Sequence, residues 1–181
     1  MIEKRQFGIH THMWNSTEDP SQIRFGGINN DLIRDGHDLI YFNTRNNATW
    51  EIDIAHGGLH ENLFANESMP ALINPGYPFI AMPYKAFSKF KQGMEAAYPD
   101  EAMTCNTDTW CYFFTPCEEL ADKIPDLHFT VRNREGENVK LRIPKKSFLY
   151  SDTDYKTNLE TCHVGIIAQK YNKNMDFWML G

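Results

Sequence analysis

The sequence has no apolar run approaching the roughly 18 consecutive residues that a membrane-spanning helix requires. Its first eight residues, MIEKRQFG, lack the apolar stretch of a secretory signal peptide. Lysine and arginine do not cluster and the net charge is -6, so nothing attracts the phosphate backbone of nucleic acid. These absences predict no membrane span, no nucleic-acid partner and no visible targeting signal.

Cysteine is scarce, but its four residues form an even set: Cys105, Cys111, Cys117 and Cys162. An even number is typical of two disulfides in an oxidising compartment. The first three cysteines are spaced six residues apart, unlike the Cys-x2-4-Cys hooks of zinc sites. A zinc site that includes His163 is therefore the weaker interpretation.

Three Asn-x-Ser/Thr triplets, at Asn15, Asn47 and Asn66, would accept glycans in the secretory pathway. The paired cysteines favour a secreted or lumenal protein, whereas the visible N-terminus carries no signal. We therefore expect a fragment of a longer secreted or lumenal precursor. With 41% hydrophobic and 23% charged residues among 181, the composition is that of one packed domain.

Alternation of apolar and polar residues, typical of half-buried strands, recurs with turn residues between the runs. It occurs at residues 7–13, 50–54, 127–131 and 139–143. The sequence NREG at residues 133–136 predicts a hairpin turn between the last two runs. The pattern therefore predicts a mainly β chain.

One helix is predicted after Pro83, because Phe87, Phe90 and Met94 recur at spacings of three and four. Lysines lie on its other side, so the helix should pack one aromatic stripe inward. Shorter helical turns are predicted at residues 117–123 and 144–147.

The aromatic segment around Cys111 consists of Trp110, Tyr112, Phe113 and Phe114. We interpret these four side chains as a buried strand rather than an exposed binding patch. No repeat and no long linker divides the chain. The expected fold is a single all-β domain with one or two short helices.

The centre of the chain carries the segment ALINPGYPFIAMP, residues 71–83, directly before the predicted helix. In pepsin-like aspartic peptidases an apolar pair leads into Asp-Thr/Ser-Gly-Thr/Ser, an apolar run, a proline and a helix. The segment resembles this element, with Asn74 at the aspartate position and Pro75 at the Thr/Ser position. Gly76 is retained, and Tyr77 and Pro78 follow it. By itself the triplet Asn-Pro-Gly is also typical of an ordinary turn.

Features on both sides of this segment resemble the C-terminal lobe of the same family, in the same order. Before it, residues 22–27 (QIRFGG) resemble the strand that ends in Phe-Gly-Gly, and residues 48–54 (ATWEIDI) the strand built around tryptophan. The later matches are the cysteine, helix and strand at 117–131, the hairpin return at 140–149, the partner cysteine at 162–165 and the Trp-Ile-Leu-Gly strand at 178–181. The resemblance covers almost the whole chain.

The resemblance implies one lobe of the bilobal pepsin-like fold over residues 1–181, with no metal or other cofactor. It implies that Gly76, Tyr77 and Pro78 contact a peptide or unfolded protein segment, and that an N-terminal lobe is a partner. It also implies a secreted or lysosomal/vacuolar location.

The family's paired cysteines correspond to Cys117 and Cys162 in this sequence. The resemblance therefore implies a disulfide between them, and Cys105 and Cys111 would then pair by elimination. Two departures concern the lobes: nothing before Phe7 resembles an N-terminal lobe, and the chain stops where the family continues into closing strands. We expect half of the active site to be absent and the far edge to be incomplete.

Aspartic-peptidase chemistry uses two close carboxylates that share one proton, one to activate water and one to hydrogen-bond the scissile carbonyl. Asn74 can neither accept nor deliver this proton. Pro75 has no hydroxyl and no backbone N–H to brace the loop against a facing lobe. No Asp-Thr/Ser-Gly triplet occurs in the sequence, and residues 152–154 (DTD) are interpreted as a polar turn.

The sequence therefore predicts a pepsin-like homologue that is inactive as this chain. One alternative is a non-enzymatic peptide- or protein-binding module derived from the fold, and another is a pseudo-lobe with no retained function. The pairs His10 with His12 and His56 with His60 are conceivable metal ligands, but solvated surface histidines are the commoner explanation. We predict no metal site.

Overall fold

The computed structural model describes residues 6–11, 21–33, 35–59, 61–106, 109–153, 157–169 and 176–181. The chain divides into two compact units, Met1–Ile40 and Tyr41–Gly181. In the described ranges, no helix has the length and apolar character needed to cross a membrane.

The first unit contains an antiparallel ribbon of β1 (Phe7–His10) and β2 (Gln22–Phe25). Phe7 and Phe25 are cross-strand partners, with ring centroids 6.3 Å apart. Gly26, which follows β2, has a φ of 82°, a conformation that glycine adopts without a steric penalty. A short 3-10 helix, Asn30–Leu32, comes next.

The second unit contains the remaining described strands and both α-helices. In chain order they are β3 (Glu51–Leu59), β4 (Asn62–Ala65), β5 (Met69–Ile73), β6 (Ile80–Met82), α1 (Tyr84–Ala97), β7 (Met103–Asn106), β8 (Trp110–Phe113), α2 (Cys117–Ala121), β9 (Leu127–Arg132), β10 (Asn138–Ile143), a 3-10 helix (Lys145–Ser147), β11 (Leu149–Thr153), β12 (Glu160–Ala168) and β13 (Trp178–Leu180). The predicted all-β class with short helices is confirmed.

Within the described residues, these strands form one sheet in the order β10-β9-β3-β5-β13-β6-β12-β8-β7. In addition, β4 pairs with β3 and β11 pairs with β12. Most pairs are antiparallel, but β13 runs parallel to β5 and β12 runs parallel to β6. The last described strand, β13, lies in the middle of the sheet, parallel to β5 on one side and antiparallel to β6 on the other.

The predicted hairpin joins β9 to β10, and the two strands pair directly from Leu127 with Ile143 to Arg132 with Asn138. Leu127, Phe129 and Val131 of β9 are buried, as the alternation predicts. Gly136 closes the turn with a φ of 88°.

The core lies between the sheet and α1, which follows Pro83 as predicted. Phe87, Phe90 and Met94 are buried, in agreement with the predicted inward stripe. The Phe90 ring meets the Phe64 ring edge-on, with centroids 5.8 Å apart. Fully buried Trp178 of β13 also contacts Phe64, with ring centroids 5.8 Å apart.

The interpretation of the aromatic segment 110–114 as uniformly buried is wrong. Phe113 is 1% exposed, but Phe114 is 52% exposed. The pleat of β8 turns Cys111 and Phe113 into the core, so Trp110 and Tyr112 lie half-buried on the opposite face. Phe114 follows the end of β8 and has no place in the core.

Candidate functional site

The segment that contains Asn74 is a loop between β5 and β6, as predicted. Two backbone hydrogen bonds hold its beginning: the Ile73 N–H donates to the Trp50 carbonyl and the Asn74 N–H to the Leu180 carbonyl, both at 2.8 Å. The backbone at the start of the loop is therefore fixed by hydrogen bonds to the chain on both sides, next to β3 on one side and to β13 on the other.

Asn74 organises the turn that follows it. Its side-chain oxygen Oδ1 accepts a hydrogen bond from the Gly76 N–H at 3.2 Å, and its carbonyl accepts one from the Tyr77 N–H at 3.0 Å. An asparagine that bonds the backbone two residues ahead is a common turn-former. Asn74 is half-buried, whereas Pro75, Gly76 and Pro78 are exposed.

The other side of the loop rests on β13 and the residue after it. Asn74 Nδ2 points at the sulfur of Met179, 3.6 Å away, which is a weak acceptor. A Cβ atom on Gly181 would lie 1.9 Å from the Tyr77 carbonyl oxygen and 2.6 Å from that of Phe79. No side chain fits at this position, so glycine lets the two backbones approach.

Two aromatic contacts continue from the loop along the sheet. Tyr77 meets Phe79 edge-on with centroids 6.0 Å apart, and Phe79 lies 6.4 Å from Tyr150 of β11. All three rings are half-buried. Burial raises the pKa of the Tyr150 hydroxyl above its usual range.

A comparison with protein-family profiles matches residues 1–181 to the family described as eukaryotic aspartyl protease. The chain belongs to this family. A search of curated proteins found no match.

The Asn74 side chain has no carboxylate among its partners in the part of the chain that the structure describes. Among the described residues, its side chain bonds Gly76 and Met179. The sequence predicts a polar turn at residues 152–154. This prediction is wrong for Asp152 and Thr153, which end β11 because they pair with Thr161 and Glu160 of β12. Asp154 lies outside the described residues.

Several site neighbours were not identified from the sequence. Met179 and Gly181 belong to the segment WMLG, whose resemblance to the aspartyl protease strand was the available signal. Phe79 and Tyr150 carried no such signal, since a contact between residues so distant along the chain leaves no local pattern.

Two disulfides lie in the second unit of this aspartyl protease homologue. Cys105 pairs with Cys111 across the β7–β8 ladder, and Cys117 at the start of α2 pairs with Cys162 of β12. These are the pairs that the resemblance implies. With all four cysteines in disulfides, they are not available as zinc ligands to accompany His163.

The remaining candidate residues lie away from the loop in sequence. Asn47 and Asn66 are exposed, as a glycan acceptor must be, and Asn15 lies outside the described residues. His56 is exposed on β3, while His12 and His60 also lie outside the described residues. Within the described ranges, no group of three or more His, Cys, Asp or Glu side chains is arranged to hold a metal.

Proposed function

We propose that the chain is a pepsin-like aspartic peptidase homologue that is catalytically inactive, with Asn74 at the position of the family's aspartate. The observation that carries the proposal is the loop between β5 and β6, which is followed by Pro83 and α1, the order of the family's active-site element. The family match over the full 181 residues supports this correspondence.

The contacts of Asn74 explain how the loop can keep the geometry of the family's active-site turn without supporting proton transfer. Oδ1 is engaged by the Gly76 N–H, a contact that a carboxylate oxygen would also make. Nδ2 occupies the place of the second oxygen and points at the Met179 sulfur. An amide in this position can hold a water molecule, but it cannot take a proton from it. Pro75 also removes the hydroxyl that the family's Thr/Ser supplies.

The test is a proteolysis assay on an unfolded protein from pH 2 to 6, with and without an aspartic-peptidase inhibitor. We expect no inhibitor-sensitive cleavage by the purified chain. A matched Asn74→Ala preparation controls for contaminating peptidases. Inhibitor-sensitive cleavage that is present in the wild type and absent from Asn74→Ala would overturn the proposal.

A second candidate function is a peptide- or protein-binding module that retains the loop without catalysis. The specific observation in its favour is the half-buried Tyr77 and Phe79 ring pair beside the exposed Gly76 and Pro78. Half-exposed aromatic rings give large contact area at low entropic cost, which suits recognition of an extended segment.

Binding of a fluorescently labelled unfolded polypeptide, followed by anisotropy at neutral pH, tests this candidate. Tyr77→Ala should weaken binding several-fold, whereas Tyr41→Ala, which removes an exposed tyrosine outside the loop segment, should not. Equal affinity of both variants and the wild type would exclude this surface.

We further propose that both compact units belong to one peptidase-like domain, since the family match spans them. The two disulfides support a secreted or lysosomal/vacuolar location, because such bonds persist in oxidising compartments. A facing N-terminal lobe is the proposed protein partner, and a peptide is the proposed ligand. Endoglycosidase-sensitive glycans on Asn47 and Asn66 in natively produced material would support passage through the secretory pathway.

A further inference from the structure

His163 occupies an unusual place on the face of the sheet opposite α1. On β12 it lies directly between two tyrosines, because Tyr150 of β11 and Tyr112 of β8 are its cross-strand partners. Both tyrosine rings lie 5.4 Å from the imidazole, and the Tyr112 ring is nearly parallel to it at 20°. Trp110 comes closer still, with its ring centroid 4.6 Å away.

The polar contacts of this histidine are few. Nε2 lies 2.8 Å from the hydroxyl of Thr161, while Nδ1 is buried and has no hydrogen-bond partner among the described residues. A neutral ring with its proton on Nε2 satisfies Thr161 and leaves only an unpaired acceptor at Nδ1. Protonation instead places an N–H donor at the buried Nδ1, where no acceptor among the described residues faces it, and a buried unpaired donor is costly.

We propose that His163 is an acid-sensitive lock: its neutral ring holds β8, β12 and β11 together, and its protonation loosens these strands and the loop that carries Asn74. The path to the loop consists of ring contacts, from His163 to Tyr150, from Tyr150 to Phe79 and from Phe79 to Tyr77. The disulfide at the neighbouring Cys162 keeps β12 attached to α2 while its partner strands separate.

The groups that face His163 decide the sign of this effect. From β11 come the Tyr150 side chain, in ring contact with the imidazole, and the Asp152 carboxylate, whose oxygen lies 4.0 Å from Nε2. From β8 comes Tyr112, and from β12 itself the Thr161 hydroxyl. Asp152 and the aromatic faces favour the charged ring, but Asp152 is 64% exposed and therefore screened by water.

Desolvation outweighs this attraction, so burial lowers the pKa of His163 below its usual value despite Asp152. In the unfolded chain a histidine has a pKa of about 6.5. Because the pKa is lowered in the folded state, the neutral ring stabilises the fold fully above the unfolded-state pKa. This stabilisation is lost as the pH falls from the unfolded-state pKa through the folded-state pKa. If the loosened state binds one proton more than the closed state, the equilibrium between the two changes by at most about tenfold per pH unit.

Hydrogen exchange between pH 7 and 5, corrected for intrinsic exchange, tests the proposal on the full chain. We expect amides of residues 110–113, 149–153 and 74–80 to lose protection on acidification, relative to the β9–β10 hairpin. His163→Phe keeps an aromatic ring that cannot titrate, so it should abolish this extra loss. His56→Phe, which removes an exposed histidine of the same sheet, should leave it unchanged.

Equal acid dependence in wild type and His163→Phe would overturn the lock. Loosening of β8 and β11 without any change at residues 74–80 would overturn the coupling to the loop. If His163→Phe does not fold, NMR titration of the wild-type protein decides: a pKa for His163 below about 6.5 supports the proposal, and a higher one overturns it, since acid would then tighten the strands.

Discussion

Asn74 and Leu180 are joined by a backbone hydrogen bond of 2.8 Å, donated by the Asn74 N–H. The bond extends the parallel pairing of β5 with β13 beyond Ile73 by one residue. The start of the loop is thus held by the backbone, while the Asn74 side chain adds a hydrogen bond to the Gly76 N–H within the turn. These two contributions are separable by mutation.

Asn74→Ala removes the acceptor of the Gly76 N–H but keeps the bond to Leu180. We expect it to lower the free energy of unfolding by about 0.5–1.5 kcal/mol, the usual net contribution of one hydrogen bond. Asn74→Asp retains an oxygen at the same place, so its change should stay within about 0.5 kcal/mol. Urea denaturation at neutral pH measures both, and equal losses would contradict the role assigned to Oδ1.

Gly57 of β3 tests the packing between the sheet and α1. A Cβ atom there would lie 2.8 Å from the Phe64 ring and 3.1 Å from the Phe129 ring, both of which are buried. We expect Gly57→Ala to destabilise the protein by about 1–3 kcal/mol through overpacking.

Gly93 of α1 provides the matched control, because a Cβ atom there meets nothing within 4 Å. Gly93→Ala should stabilise the protein by about 0.5–1 kcal/mol, since alanine is the better helix former. Both variants are compared by chemical denaturation. A Gly57→Ala protein as stable as Gly93→Ala would show that the rings are not packed as described.

The two disulfides should contribute unequally to stability. Cys117 and Cys162 are 45 residues apart, whereas Cys105 and Cys111 are 6 apart. Loop-closure entropy then predicts that the double alanine variant of the first pair loses about 4 kcal/mol and that of the second about 2 kcal/mol. Chemical denaturation of both variants would measure this difference, since a shift of the denaturation midpoint at an unchanged m-value reports a change in the free energy of unfolding. A larger loss for the short loop would show that strain or residual structure outweighs loop entropy.

Local patterns in the sequence predicted several elements of the fold, including the helix that follows β6. The alternation in β9 and β10, the turn at residues 133–136 and the stripe of Phe87, Phe90 and Met94 are each encoded within a few residues. The structure forms all three as predicted. Such signals depend on the period of the element, which a short window contains.

The pairing of distant strands could not be predicted in this way. The local sequence WMLG does not predict that β13 lies between β5 and β6. It also does not predict that Gly181 contacts the backbone of Tyr77. The stack of Tyr112, His163 and Tyr150 likewise depends on the register of three strands. The prediction that Phe114 is buried was wrong for a related reason. An aromatic side chain is placed in the core by the strand that carries it, and β8 ends at Phe113.

The last prediction concerns repair of the candidate active site. Asn74→Asp together with Pro75→Thr should not give peptidase activity to the purified chain, because the change supplies one carboxylate and one bracing hydroxyl. The shared-proton mechanism needs a second aspartate facing the first, and the 181 residues contain no Asp-Thr/Ser-Gly triplet to supply it. Association of two repaired chains would require self-complementary surfaces, which a lobe shaped for an unlike partner should rarely present.

Activity is therefore expected only when the repaired chain is joined to an intact N-terminal lobe of an active relative. The measurement is inhibitor-sensitive cleavage of an unfolded protein at acidic pH, for the repaired chain alone and for the fusion. The same fusion with wild-type Asn74 and Pro75 is the matched control and should be inactive. Activity of that control would mean that Asn74 does not occupy the catalytic position. Activity of the repaired chain alone would mean that its second carboxylate comes from a neighbouring copy, since the chain itself provides one.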